Sequence, residues 1–307
     1  MVTLLRELSL FTGYGGMSLG LKLALKEVRT VGYCEIEPYC QEIIKARIRD
    51  GFLDDAPIWP DIRTADFSGL RGLVDIVTAG FPCQPHSVAG KRVGALDKRN
   101  LWPDTLRVID DVGPAIVLLE NVPGILANGY AGIVVGELAS AGYDALWGLL
   151  SASTVGAPHV RTRWWCLAYP NRFRAAKSGW RGDCLTAFLS QVRGRDNQKS
   201  PQDESANIDD GNTELAGAAS QSSNYGNGNS GGETVRQTLF GDKGSFPPSP
   251  GDAKEWAFYH ANYPELEPAI RRMADGTPHR VDRLKAAGNG VVPIQAAFAI
   301  RLLLRMA

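Results

Sequence analysis

The chain has 307 residues, 44% of them hydrophobic, with 33 Lys/Arg balanced against 33 Asp/Glu. That suits one large domain, or a large domain with a smaller one attached, and a substantial core. No apolar run approaches the roughly 20 residues of a membrane span. Met1 to Leu10 carries Arg6 and Glu7 inside its apolar stretch, so it reads as a first core strand and not as a signal peptide; a cytoplasmic protein without membrane contact is expected.

From the N-terminus to about residue 170, short apolar, β-branched runs alternate with helical patterns. The expected strands are Leu8–Phe11, Val31–Cys34, Val74–Ala79, Ala115–Leu119, Ala145–Leu150 and Trp164–Ala168. The expected helices include Met17–Glu27, Tyr39–Asp50, Leu101–Val112 and Ile133–Ala141. Such alternation predicts an α/β fold around a mostly parallel sheet.

Several strand ends carry residues suited to chemistry. Phe11-Thr12-Gly13-Tyr14-Gly15-Gly16 lies between the first strand and its helix, where glycines permit a tight turn and close approach of backbone to a ligand. Glu35 ends the next strand, about 20 residues beyond those glycines, the spacing of a carboxylate that binds ribose hydroxyls. Asp61 is similarly placed to hold an adenine amino group; taken alone, it also reads as an ordinary surface carboxylate. Cys83 follows a strand within Gly80-Phe81-Pro82-Cys83-Gln84-Pro85, between two prolines that restrict its freedom. Glu120 sits in Leu118-Leu119-Glu120-Asn121-Val122, where burial would favour a protonated carboxyl. Arg161 and Arg163, two apart at the start of a strand, fall on one face by alternation. Gly288-Asn289-Gly290-Val291-Val292-Pro293 is a turn before a final core helix, Ile294 to Met306.

Beyond residue 170 the composition changes. Nine Lys/Arg against two Asp/Glu fall between Arg161 and Lys199, then no Lys/Arg against six Asp/Glu between Ser200 and Thr234. On charge alone such runs read as solvated surface. Residues 196–252 are rich in Asn, Ser, Gly, Asp and Gln and are expected to form a mobile loop, spanning about 197–251. The five cysteines, Cys34, Cys40, Cys83, Cys166 and Cys184, form no C-x-x-C pair, so neither a disulfide framework nor a zinc site is suggested, and no metal is expected.

In order and spacing, FTGYGG, FPCQ, LLENV, the Arg-x-Arg strand and GNGVVP resemble the DNA cytosine-5 methyltransferases, over about residues 8–170 and 285–307. The resemblance implies a Rossmann-like S-adenosylmethionine-dependent methyltransferase domain over 1–170, a small target-recognition domain within 171–284, and a segment, 285–307, returning to the first domain. It implies that Phe11, Gly13, Gly15, Gly16, Glu35, Ile36, Asp61, Pro82, Asn289 and Val291 bind S-adenosylmethionine. Cys83 would attack carbon 6 of a flipped cytosine, Glu120 would serve N3, Arg163 would hold O2, and Arg161 would support that geometry. The implied partner is double-stranded DNA, met by a monomer in the bacterial nucleoid or a phage-infected host, with a cognate restriction endonuclease as a further possible partner. Three positions and one segment depart from the family pattern. Ile36 stands where an aromatic residue is common, His159 replaces a frequent glutamine, Gly290 replaces a frequent serine, and Arg271-Arg272-Met273-Ala274-Asp275-Gly276 stands in place of a Thr-Pro-Arg-Glu motif. That ending resembles phage and prophage members. Three other readings are weighed: an RNA cytosine-5 methyltransferase, which the same catalytic residues fit; an inactive binding protein, which would have lost Cys83 or Glu120; and a nicotinamide oxidoreductase, which leaves FPCQ and ENV unexplained.

Overall fold

A computed structural model describes residues 4–82, 100–127, 129–171 and 289–306. Cys83, Cys184 and nearly all of the expected target-recognition region with its loop lie outside the described residues. Seven strands form one sheet in the order β3-β2-β1-β4-β5-β7-β6. They are β1 (Leu5–Leu10), β2 (Val28–Cys34), β3 (Ile58–Trp59), β4 (Ile76–Ala79), β5 (Ile116–Asn121), β6 (Tyr143–Ser151) and β7 (Thr162–Pro170). The first five pair in parallel. β7 is antiparallel to both β5 and β6 and lies between them. The mostly parallel sheet expected from the sequence is therefore observed, with one reversed strand near its edge.

Among the described residues the α-helices are α1 (Gly16–Ala24), α2 (Pro38–Arg49), α3 (Trp102–Val112), α4 (Gly124–Ala127), α5 (Tyr130–Ser140) and α6 (Pro293–Met306). Local chemistry sets several ends. Pro38 opens α2 with its φ already helical, and Arg47 and Arg49 in the last turn complement the carbonyl end of the helix dipole.

Period-two alternation sorts each strand's side chains between two cores. On one face Leu8, Val77, Val117 and Leu119 pack with Val108 and Ile109 of α3 and Val134 and Leu138 of α5. On the other, Ile76, Ile116, Leu118 and Trp165 pack with Met17 and Leu21 of α1 and Ile300, Leu303 and Leu304 of α6. Truncating one of these fully buried leucines to alanine would cost about 2–5 kcal/mol.

The second face joins the end of the described chain to its beginning. A Cβ on Gly20 of α1 would lie 2.5 Å from Ala296 Cβ of α6, and one on Gly16 would lie 2.3 Å from the Val291 carbonyl oxygen. The absence of side chains at these two glycines lets the helices touch. The helix α6 thus packs against the sheet. Strand order reverses between β1 and β4, and in such sheets ligands bind in the crevice beyond the strand ends at that point.

Candidate active site

The β1–α1 turn lies at this crevice. Phe11 adopts a left-handed φ of 52°, uncommon for a residue with a side chain, and Gly13 and Gly15 follow at 58° and 87°. Thr12 anchors the turn from both sides: its Oγ1 donates to the Ser9 carbonyl at 3.0 Å and its backbone N donates to that of Cys34 at 3.2 Å. A Cβ on Gly13 would meet nothing within 4 Å, so the turn presents an open backbone surface there.

Glu35 is buried beside it. Its Oε2 accepts from Gly13 N at 2.7 Å and its Oε1 from Glu37 N at 2.9 Å. Each carboxylate oxygen keeps a further lone pair, the arrangement needed to accept from two vicinal hydroxyls. A cavity of about 260 Å³ opens here, and Phe11, Gly13, Glu35, Ile36, Pro82, Asn289 and Val291 all line it. Seven of the residues expected to bind cofactor therefore meet in one place. The buried carboxylate, the open glycine backbone and the apolar Ile36 and Val291 fit an adenosine-like group.

Three residues of the expected cofactor set do not line the cavity. Gly15 and Gly16 lie behind the turn, packed against Leu53 and Val291 respectively. Asp61 is engaged by Arg63, whose guanidinium contacts the carboxylate at 2.6–3.1 Å. That ion pair holds the Asp61 carboxyl below its ordinary pKa.

Glu120 lines the same cavity from the end of β5. It is buried, and its Oε1 lies 2.8 Å from Arg163 Nε on β7. Burial raises the Glu120 pKa, opposed by the charges of Arg163 and Arg161 and by the hydrogen bond from Arg163. The desolvation cost outweighs both guanidiniums, which leaves a carboxyl that holds its proton unusually well. Gly80 closes the site from below: a Cβ there would come within 3.3 Å of Glu120 Oε2. Arg161 precedes β7, and its Nη2 donates to the Gly290 carbonyl at 2.6 Å.

Sequence reasoning passed over several participants. The buried amide of Asn121 donates to the Phe81 carbonyl at 3.0 Å and ties that segment onto β5. Gln295 donates to the carbonyls of Leu150 and Arg161, both at 2.9 Å, and so fixes the backbone that carries Arg161. Tyr39, Cys40 and Leu101 also line the cavity, and no motif in the sequence singles them out. The unusual Gly290 is accounted for by the Tyr14 ring, which takes the space a side chain would need.

The other cysteines among the described residues, Cys34, Cys40 and Cys166, are buried. Burial pushes the Cys34 and Cys166 thiols up to about 12, so neither supplies a thiolate near neutrality.

Residues 5–236 match the family model described as C-5 cytosine-specific DNA methylase. The Type II methyltransferase M.CviJI of Paramecium bursaria Chlorella virus IL3A is 34% identical over 165 residues, which cover 53% of this chain and 42% of that protein. The Type II methyltransferase M.NgoMIV of Neisseria gonorrhoeae is 31% identical over 170 residues, covering 54% and 52%. The solved structure of the S. pombe Dnmt2 methyltransferase is 28% identical at a TM-score of 0.46, covering 61% of this chain and 54% of that one. The chain spans about half the length of the curated relatives it matches.

Proposed function

Because this chain belongs to the C-5 cytosine-specific DNA methylase family, we propose that it transfers a methyl group from S-adenosylmethionine to carbon 5 of a cytosine extruded from duplex DNA. The observation that carries this reading is the Glu120–Arg163 pair at 2.8 Å, opening into the cavity that also holds Glu35 and the glycine turn. A base and a nucleoside cofactor entering from opposite sides would meet there.

Bound in the cavity, S-adenosylmethionine would supply an electrophilic methyl group. Glu35 would hold the ribose hydroxyls, while Phe11, Ile36 and Val291 would give apolar contact. Cytosine C5 is a weak nucleophile. In our reading the Cys83 thiolate adds to C6 while Glu120 shares a proton with N3, and C5 becomes electron-rich enough to take the methyl group. The methyl donor would leave as S-adenosylhomocysteine; a base would then take the C5 proton, and elimination across C5–C6 would expel the thiolate and return the N3 proton to Glu120. Cys83 follows Pro82 in the sequence, and Pro82 lines the cavity. Arg163 would hold the base's O2 as well as Glu120, and Arg161 would support both. The atoms to be joined are inaccessible inside a duplex, so the base must be flipped, at a cost of about a few kcal/mol.

Bisulfite sequencing of DNA from cells expressing the protein, beside transfer of labelled methyl to duplex DNA and to transfer RNA, tests the reading. Methylation of one sequence motif in duplex DNA supports it. Label found in RNA and not in DNA would move the enzyme to a different substrate class, and absence of transfer to both would reject the activity.

A further inference from the structure

Tyr14 occupies the middle of the glycine turn, yet it is not among the residues lining the cavity. Its hydroxyl donates to the Val291 carbonyl at 2.9 Å, reaching across to the segment before α6. Its ring meets Gly290. A Cβ built on Gly290 would lie 1.7 Å from Tyr14 Cε1 and 2.2 Å from Cζ, an impossible approach. Gly290 has no left-handed φ, so no left-handed backbone conformation calls for glycine there. The three atoms nearest to that position all belong to the Tyr14 side chain.

The carbonyl of this same Gly290 accepts from Arg161 Nη2 at 2.6 Å, and Gln295 holds the Arg161 carbonyl at 2.9 Å. Asn289, Gly290 and Val291 also line the cavity. Three consecutive residues therefore line the cavity, and the middle one, Gly290, also holds Arg161 through its carbonyl. We propose that Tyr14 is a positioning residue: it seats Gly290 and, through the Gly290 carbonyl, sets Arg161 beside Glu120, so that residues 14 and 290 act as a matched pair. This rests on the methyltransferase reading for its catalytic consequence, but the pairing itself does not. Burial raises the Glu120 pKa, and the Arg161 charge, after that of Arg163, opposes the rise. Loosening the seat should thus be felt at Glu120.

The test is a double-mutant cycle on the full chain, with Tyr14→Phe, Tyr14→Ala, Gly290→Ala and the Tyr14→Ala/Gly290→Ala double variant. Tyr14→Phe keeps the ring and loses one hydrogen bond, so kcat should fall about three- to tenfold. In the same variant the alkaline limb of the pH–rate profile should move to higher pH, because Arg161 is held less firmly near Glu120. A purely structural role would leave that limb in place. Gly290→Ala should be the most impaired single variant, and Tyr14→Ala should restore part of its rate by opening the space. Gly290→Ala at the wild-type rate, strictly additive effects, or an unmoved pH profile in Tyr14→Phe would overturn the proposal. Thermal unfolding and S-adenosylhomocysteine calorimetry are run on all variants. If the wild type transfers no methyl group, the functional reading fails separately, and the cycle is read from unfolding midpoints. Non-additive midpoints then support the pairing, and additive ones reject it.

Discussion

Arg163 Nε meets Glu120 Oε1 at 2.8 Å across the tips of two antiparallel strands, so that one cation both orients the carboxylate and offsets its burial. Glu120→Gln should therefore lower kcat by about 10²–10⁴-fold, the usual contribution of a positioned proton donor. Arg163→Ala should also lower kcat. Removing the cation raises the Glu120 pKa further, so the alkaline limb of activity should shift upward in pH relative to wild type. Rate profiles on both variants check this; a downward shift in Arg163→Ala would contradict the assignment.

Glu35 bonds two backbone amides as well as facing the cavity. Glu35→Ala should weaken S-adenosylmethionine binding by about one to two orders of magnitude, since hydrogen bonds to charged groups contribute roughly 1.5–3 kcal/mol. Affinity for DNA should change far less. Calorimetry with each ligand separates the two effects, and unchanged cofactor affinity would refute the role.

Cys83→Ser should abolish turnover while cofactor binding stays close to wild type. Duplex DNA carrying 5-fluorocytosine should trap a covalent adduct with the wild-type protein, because C5 then has no proton to lose. Gel shift under denaturing conditions reports the adduct, and full turnover by the serine variant would end the covalent mechanism.

Glu7 is fully buried in the middle of β1, where hydroxyls of Ser18, Thr78 and Thr30 donate to it at 3.0, 2.7 and 2.6 Å. Burial raises its pKa against those hydrogen bonds, with Asp54 adding a smaller push in the same direction. A carboxyl whose folded pKa is raised stabilises the fold fully below its ordinary pKa and loses that contribution as pH rises through the folded value. Glu7→Gln mimics the protonated form. It should gain stability relative to wild type as pH increases from 5 to 8, read from urea midpoints. Glu7→Leu should instead cost about 1–3 kcal/mol for each hydroxyl left unpaired. Parallel pH dependence in wild type and Glu7→Gln would show that Glu7 does not titrate in this way.

The six long strands and the helices between them were legible because their apolar runs and periodicities are local. Boundaries moved by a few residues: β1 starts at Leu5 and not Leu8, and β6 extends to Tyr143 and Ser151. β3 was missed because two residues, Ile58 and Trp59, carry no periodicity. The reversed direction of β7 is not written in its own residues; it follows from the short connection back from β6. The cavity's motif residues were legible for the same local reason, since a glycine turn or an acidic strand end shows in a few adjacent letters. Asp61 shows the limit of that reasoning, because its partner Arg63 also sits two residues away yet carries no motif to announce the pairing. The Tyr14–Gly290 contact joins residues too far apart in the chain for any spacing rule, and only packing reveals it.

The seam between α1 and α6 also has a consequence for synthesis. A chain leaving the ribosome exposes the glycine turn, Glu35 and the Glu120 strand long before Asn289 to Met306 have been made. Domains fold from the N-terminal side as they emerge. The groove lined by Met17, Leu21 and Trp165 is filled by α6 only once that segment has been made. Cofactor added during translation would meet a cleft lacking one wall. Retention of S-adenosylmethionine should then begin only after the last helix has emerged, which makes stalled chains ending before Pro293 a target for chaperones that bind exposed apolar surface.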